Sequence, residues 1–175
     1  MNRFFCTALA ALSLSLAACA QDSKTPKPAP ELVGSLWVNG APVKLADLKG
    51  KVVVLGVWTF ECINCQRTLP YWNGWAKKYA GKDVVVVTIH TPEIESERDP
   101  KSVEAYAKKK GLVFPVLIDN DQKNWKNWTV RMWPSMVLID KKGNTRAAWE
   151  GELDWKGSGA YRDVERMIEA LRKEK

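Results

Sequence analysis

Cys62 and Cys65, two residues apart, are the side chains of this 175-residue sequence best placed to do chemistry. They close the stretch Trp58-Thr59-Phe60-Glu61-Cys62-Ile63-Asn64-Cys65. Ahead of it, Val52 to Val57 is an apolar run broken only by Gly56, long enough for one buried strand. Behind it, Leu69, Trp72, Ala76 and Tyr79 recur at helical spacing. The cysteines therefore fall where a strand turns into a helix, with Cys62 near the helix N-terminus. Free backbone N–H groups and the positive end of the helix dipole favour a thiolate there. A two-residue spacer is bridged as a disulfide within one helical turn, so the pattern predicts a redox dithiol. Two other chemistries compete. Structural zinc needs about four ligands, and the sequence has one histidine and, after processing, two cysteines. A purely structural disulfide would close too small a loop to restrict the unfolded chain much.

The elements that must position these thiols follow in chain order. Leu36 to Leu48 holds Asn39-Gly40 between short apolar segments, which predicts a hairpin. The strand at Val52 comes next, then the helix from Cys62, with a kink expected at Pro70. Val84 to Ile89 is a second buried strand, and Thr91 to Pro100 is a polar, acidic loop. Lys101 to Lys110 is a helix with Val103, Tyr106 and Ala107 on one face, closed at Gly111. Val116 to Ile118 is a strand, Gln122 to Trp128 a short helix, and Met136 to Ile139 a strand. Lys142-Gly143-Asn144 turns it into a partner strand, Thr145 to Trp149. A last helix, Ala160 to Leu171, turns Tyr161, Val164, Ile168 and Leu171 inward. Alternating strands and helices predict an α/β fold: a central mixed sheet with helices on both faces and a short N-terminal hairpin extension. In such sheets the reactive crevice lies at the carboxyl ends of the parallel strands. That puts the dithiol and His90 on one edge.

The N-terminus has a different character. Arg3 precedes an apolar stretch, Phe4 to Ala18, with the form of a secretion signal. It ends in Leu16-Ala17-Ala18-Cys19, which resembles the bacterial lipobox. The resemblance implies removal of residues 1–18, lipid on Cys19 and an envelope location facing the periplasm. Ala20 after that cysteine, in place of Asp, favours the outer membrane. Cys6 leaves with the signal, so Cys62 and Cys65 remain to pair with each other in a compartment that permits disulfides. Residues 19–30 are a polar, proline-rich tether, extending on the order of 30 Å over ten residues. Residues 31–175 suit one domain with its own core. Losing Arg3 lowers the formal charge from +7 to +6. The positive charges are scattered, as on solvated helix faces, and an exported protein meets no nucleic acid.

Trp58 to Cys65, Pro70, and Trp133-Pro134 before the strand at Met136 together resemble the thioredoxin superfamily. The Cys-Ile-Asn-Cys dithiol with Ile89-His90-Thr91-Pro92-Glu93 is similar to TlpA-like and DipZ-like envelope thiol-disulfide oxidoreductases. The resemblance covers residues 34–172 and implies a thioredoxin-like fold. It also implies a cis Pro134 facing Cys62, with the Trp133 backbone pairing to an extended substrate peptide as an added strand does. Cys62 would attack a substrate disulfide, and Cys65 would then release the product by attacking Cys62. No cofactor beyond the Cys62–Cys65 disulfide is implied. The implied partners are protein disulfides, an envelope electron donor and, through Cys19, the membrane, for a monomeric protein. One departure concerns proton transfer. Thioredoxins commonly carry a buried acid six residues before the first cysteine, and here that residue is Gly56. Glu61, His90 and Glu93 are the replacements at the reactive edge.

The Ile63-Asn64 spacer brings no positive charge to stabilise a thiolate strongly, which favours a reductase over a strong oxidant. Two alternatives stand beside this reading. One is a thiol peroxidase, whose usual threonine-containing motif is missing here. The other is a non-catalytic module binding Cu(I) through Cys62, Cys65 and His90.

Overall fold

The computed structural model describes residues 26–174. The chain runs β1 (Lys27–Pro28), β2 (Trp37–Val38), β3 (Val52–Trp58), α1 (Ile63–Lys78), β4 (Val84–His90), α2 (Pro100–Lys109), β5 (Val116–Ile118), α3 (Lys123–Asn127), β6 (Ser135–Ile139), β7 (Asn144–Glu150) and α4 (Ala160–Lys173). From β3 onward this is the order read from hydrophobic periodicity. The strands form one seven-stranded sheet in the order β1-β7-β6-β3-β4-β5-β2. β3, β4 and β5 are parallel, while β6 runs antiparallel to β3 and β7 antiparallel to β6.

All seven residues of β3 are buried, because both faces of this central strand are covered. Val52, Val54 and Trp58 face one layer with Trp72, Val103 and Ile168, from α1, α2 and α4. Val53, Leu55 and Val57 face the other, with Leu45 and the half-buried Trp125 of α3. Gly56 points into the first layer. A Cβ there would meet the Trp72 ring at 2.5 Å, so the indole lies flat on the strand only because this position has no side chain.

The expected N-terminal hairpin does not form. β2 pairs with β5, not with a neighbour in sequence, and Leu45–Leu48 is a 3₁₀ turn. Asn39 adopts the left-handed backbone its Asn-Gly context favours, at φ 57°. Its amide, however, donates to the carbonyls of Leu112 and Phe114, binding the turn to the β5 side of the sheet. The open edge of β5 offered longer-range partners than a two-residue strand could find locally. The proline-rich segment also differs from a free tether at its end. Lys27–Pro28 pairs with Thr145 and Asn144 at the opposite sheet edge, where a proline without an N–H is tolerated. The expected signal segment and the lipid site at Cys19 lie outside the described residues.

α1 continues through Pro70, which is exposed. Its missing N–H removes the helical donor for the Gln66 carbonyl. No described helix is long and apolar enough to cross a membrane.

Candidate active site

β3 ends at Trp58 and delivers the chain over the sheet edge through Thr59, Phe60 and Glu61. Cys62 is the N-cap of α1, and its sulfur accepts the Cys65 N–H at 3.4 Å. Both thiols are free: Cys62 is half-exposed, Cys65 buried. The first cysteine therefore meets solvent while the second is closed off from it. Burial pushes the Cys65 thiol well up. A Thr59 N–H hydrogen bond opposes this, and Cys62 and the Glu97 charge add to it.

The remaining walls come from the other chain crossings at this edge. Trp133-Pro134 is a cis peptide. Val57 lies opposite Ser135 in the β3–β6 register, so Pro134 sits beside the end of β3 that carries the dithiol turn. The Trp133 indole is tied back, its Nε1 donating to the Thr91 carbonyl at 2.9 Å and its ring on Trp125 at 4.1 Å. This anchoring holds the bulky Trp133 ring in place beside Pro134.

His90 ends β4 with no exposure. Trp58 meets its ring edge-on at 5.2 Å, and Phe60 stacks on it at 5.5 Å. Its Nε2 is 3.2 Å from the Thr59 hydroxyl, and its Nδ1 is buried without a partner. Burial pulls the imidazole down to about 4, against the nearby Glu97 charge, so it is neutral at pH 7. Glu61 and Glu93 are both exposed. The Glu61 carboxylate accepts from Ser96 at 3.3 Å, and for Glu93 it is the backbone N–H that reaches inward.

That N–H leads to a residue sequence reasoning missed. Glu97 is 1 % exposed. Its carboxylate accepts the N–H of Glu61 at 3.0 Å, of Glu93 at 2.7 Å and of Ile94 at 3.2 Å. Burial alone would raise this carboxyl. The Thr59 hydroxyl and the three N–H donors outweigh it and hold the group below the usual carboxylate range. No spacing rule singles out Glu97 within an acidic loop. The only hint is a count of acids at the reactive edge that includes it with Glu93 and Glu95. Among the described residues no three His, Cys, Asp or Glu side chains gather as a metal cluster.

Fold and site together define a thioredoxin-like domain with a two-cysteine centre at the N-cap of its first long helix. The chain belongs to the AhpC/TSA family, whose model matches residues 26–148. It is 38 % identical over 131 residues to protein DipZ of Mycobacterium bovis, covering 73 % of this chain and 19 % of DipZ. The chain thus spans about a fifth of the length of that relative. With the thiol-disulfide oxidoreductase ResA of Geobacillus kaustophilus it shares 30 % identity over 136 residues, covering 77 % of this chain and 71 % of ResA. A solved structure of a thioredoxin-like superfamily protein superposes with a TM-score of 0.76 at 27 % identity, covering 85 % of this chain and 98 % of the other.

Proposed function

We propose that this protein is a thiol-disulfide oxidoreductase of the cell envelope that reduces protein disulfides through Cys62 and Cys65. The observation that carries this reading is the asymmetry of the two sulfurs: Cys62 half-exposed at a helix N-cap, Cys65 buried behind it. The Cys62 thiolate attacks a substrate disulfide and forms a mixed disulfide. Cys65 then attacks Cys62, the substrate leaves as a thiol, and the enzyme is left oxidised. An electron donor of the envelope restores the dithiol. The substrate strand pairs with the backbone beside Pro134, and Trp133 bounds its groove. Anchoring through lipid on Cys19 rests on the lipobox pattern in the sequence.

The reduction potential of the Cys62/Cys65 pair in a glutathione or dithiothreitol series tests the direction. A value near about −270 mV marks a reductase, and one near about −120 mV marks an oxidant. A chain whose cysteines never close into a disulfide is not an oxidoreductase of this kind. Oxidation of Cys62 by hydrogen peroxide, with protein disulfides left intact, would establish the peroxidase alternative instead.

A further inference from the structure

Lysines that lie scattered along the sequence are gathered by the fold. β3, β4 and β5 are parallel and point their carboxyl ends at the reactive edge, so their amino ends share the opposite pole. Lys49 and Lys51 precede β3, and Lys82 precedes β4. The Gly50 N–H donates to the Lys141 carbonyl and the Val52 N–H to the Asp83 carbonyl. Those bonds bring both segments to the β6–β7 turn, which carries Lys142. α4 ends at the same pole, with Arg172 on Asp83 at 2.7 Å and Lys173 next in the chain. The last turn of a helix favours cations of this kind, because its free carbonyls form the negative end of the dipole.

Lys49, Lys51, Lys82, Lys142 and Lys173 are all exposed, and among the described residues no salt bridge reaches them. Most acids of this pole are committed elsewhere. Asp83 holds Lys141 and Arg172, Glu169 meets Arg172, and Arg146 pairs with Asp140 and Glu174. Glu31 and Asp47 stay exposed beside the lysines. The reactive edge has the opposite character, with Glu61, Glu93 and Glu95 exposed around the dithiol. The lysine pole also opens a cleft of about 330 Å³, walled by Leu45, Leu48, Val53 and Ile139, with Lys49 and Lys142 on its lining. Apolar walls flanked by cations suit an anion that carries apolar chains better than a small soluble one.

We propose that this lysine-rich pole is a docking surface for a bilayer of anionic phospholipid, and that docking turns the dithiol away from the membrane. This rests on the envelope reading made above and makes no use of the thiol chemistry. Each exposed lysine gains by approaching the anionic leaflet, and the gain fades within a Debye length. The acidic reactive edge is repelled by the same field, so the two poles favour one orientation. Lys27–Pro28 joins the sheet at Thr145 and Asn144, next to the β6–β7 turn. Lipid on Cys19 would therefore draw the chain toward the membrane from the pole that the charges favour.

The test is sedimentation of the full-length chain, carrying Cys19→Ser so that no lipid is attached, with vesicles of phosphatidylcholine alone or mixed with phosphatidylglycerol. Tighter binding to the anionic vesicles is expected, and added salt should remove the difference. In the triple variant Lys49→Gln, Lys51→Gln, Lys142→Gln that binding falls by about 100-fold, since each basic residue at an anionic leaflet contributes about a factor of five. A second triple variant, Lys101→Gln, Lys123→Gln, Lys156→Gln, removes the same charge from the dithiol half and should change binding by less than about threefold. All six side chains are exposed, so both variants keep the fold. Equal weakening by the two variants would reduce the effect to net charge and overturn the proposal, as would equal binding to neutral and anionic vesicles. Release of the parent by soluble glycerol phosphate at matched concentration would mark a site for free phosphate and overturn the lipid assignment. Because binding is read on vesicles, a chain that is not exported would leave this result standing, and one that is exported would not rescue a failed result.

Discussion

Glu97, beside the dithiol, and Asp140, beyond the far end of β6, are both buried acids that collect backbone N–H groups from their own loops. Asp140 accepts from Lys142 at 2.9 Å and from Asn144 at 2.8 Å, closing the β6–β7 turn. Glu97 does the same for the loop after β4 and also reaches across to Glu61. The two differ in how their charge is met. The Arg146 guanidinium lies 3.3 Å from Asp140, whereas among the described residues no salt bridge reaches Glu97. The loop task alone therefore does not require an unpaired anion. At the far end a cation offsets the charge, while at the reactive end it is left to act on Cys65 and His90.

Truncating each acid separates its structural part from its charge. Glu97→Ala strands buried N–H groups at about 1–3 kcal/mol each when no water replaces the carboxylate, so the expected loss is about 4 kcal/mol by urea unfolding. A loss under about 1 kcal/mol would mean the loop does not depend on the acid, and the likeness to Asp140 would fail. Gly56→Ala asks whether the strand itself has room for a side chain at the reactive end. Its Cβ would sit 2.5 Å from Trp72, and overpacking of that kind costs about 1–3 kcal/mol. A variant as stable as the parent would show that the indole yields and that an acid on β3 is sterically allowed.

His90 sharpens the contrast through pH. Its imidazole titrates near about 6.5 when unfolded and at about 4 when folded. Between those values the unfolded chain binds more protons, so this contribution is complete above pH 6.5, falls with acidification and levels off near pH 4. The loss between pH 7 and pH 5 is expected to be about 2 kcal/mol, before carboxylates such as Glu97 begin to protonate. Unfolding curves for the parent and for His90→Gln check it, because the variant should lack this part of the slope. The smallest effect is expected at the far end. Arg146→Gln removes the partly exposed guanidinium that pairs with both Asp140 and Glu174 and should cost about 1 kcal/mol for each pair or less, leaving the pH profile of the thiol reaction unchanged. A shifted profile would show that the two ends are electrostatically coupled.

Much of the site was legible because its signals are local. A strand's apolar run, a helical repeat and a two-residue cysteine spacing are each contained within a few turns of chain, and β3, α1 and the Cys62 cap fall where those patterns place them. The same holds for β6, β7 and the proline before them. The hairpin at Asn39-Gly40 failed for the converse reason: a turn residue marks where the chain reverses, not which strand it will join. Glu97 went unread because its hydrogen-bond partners are the backbone N–H groups of Glu61, Glu93 and Ile94, the first of them far off in sequence, so no side-chain pattern records them.

By itself, the amino-acid sequence determined which atoms can react and at which junction of strand and helix they stand, since side-chain chemistry and local periodicity need no partner from elsewhere. Only the tertiary structure decided which thiol is hidden, why Gly56 must stay bare, and which of several acids comes to lie behind Cys65. Those outcomes depend on burial and on loops meeting across a sheet edge, where desolvation and satisfied backbone donors, set by the whole fold, decide which charge survives.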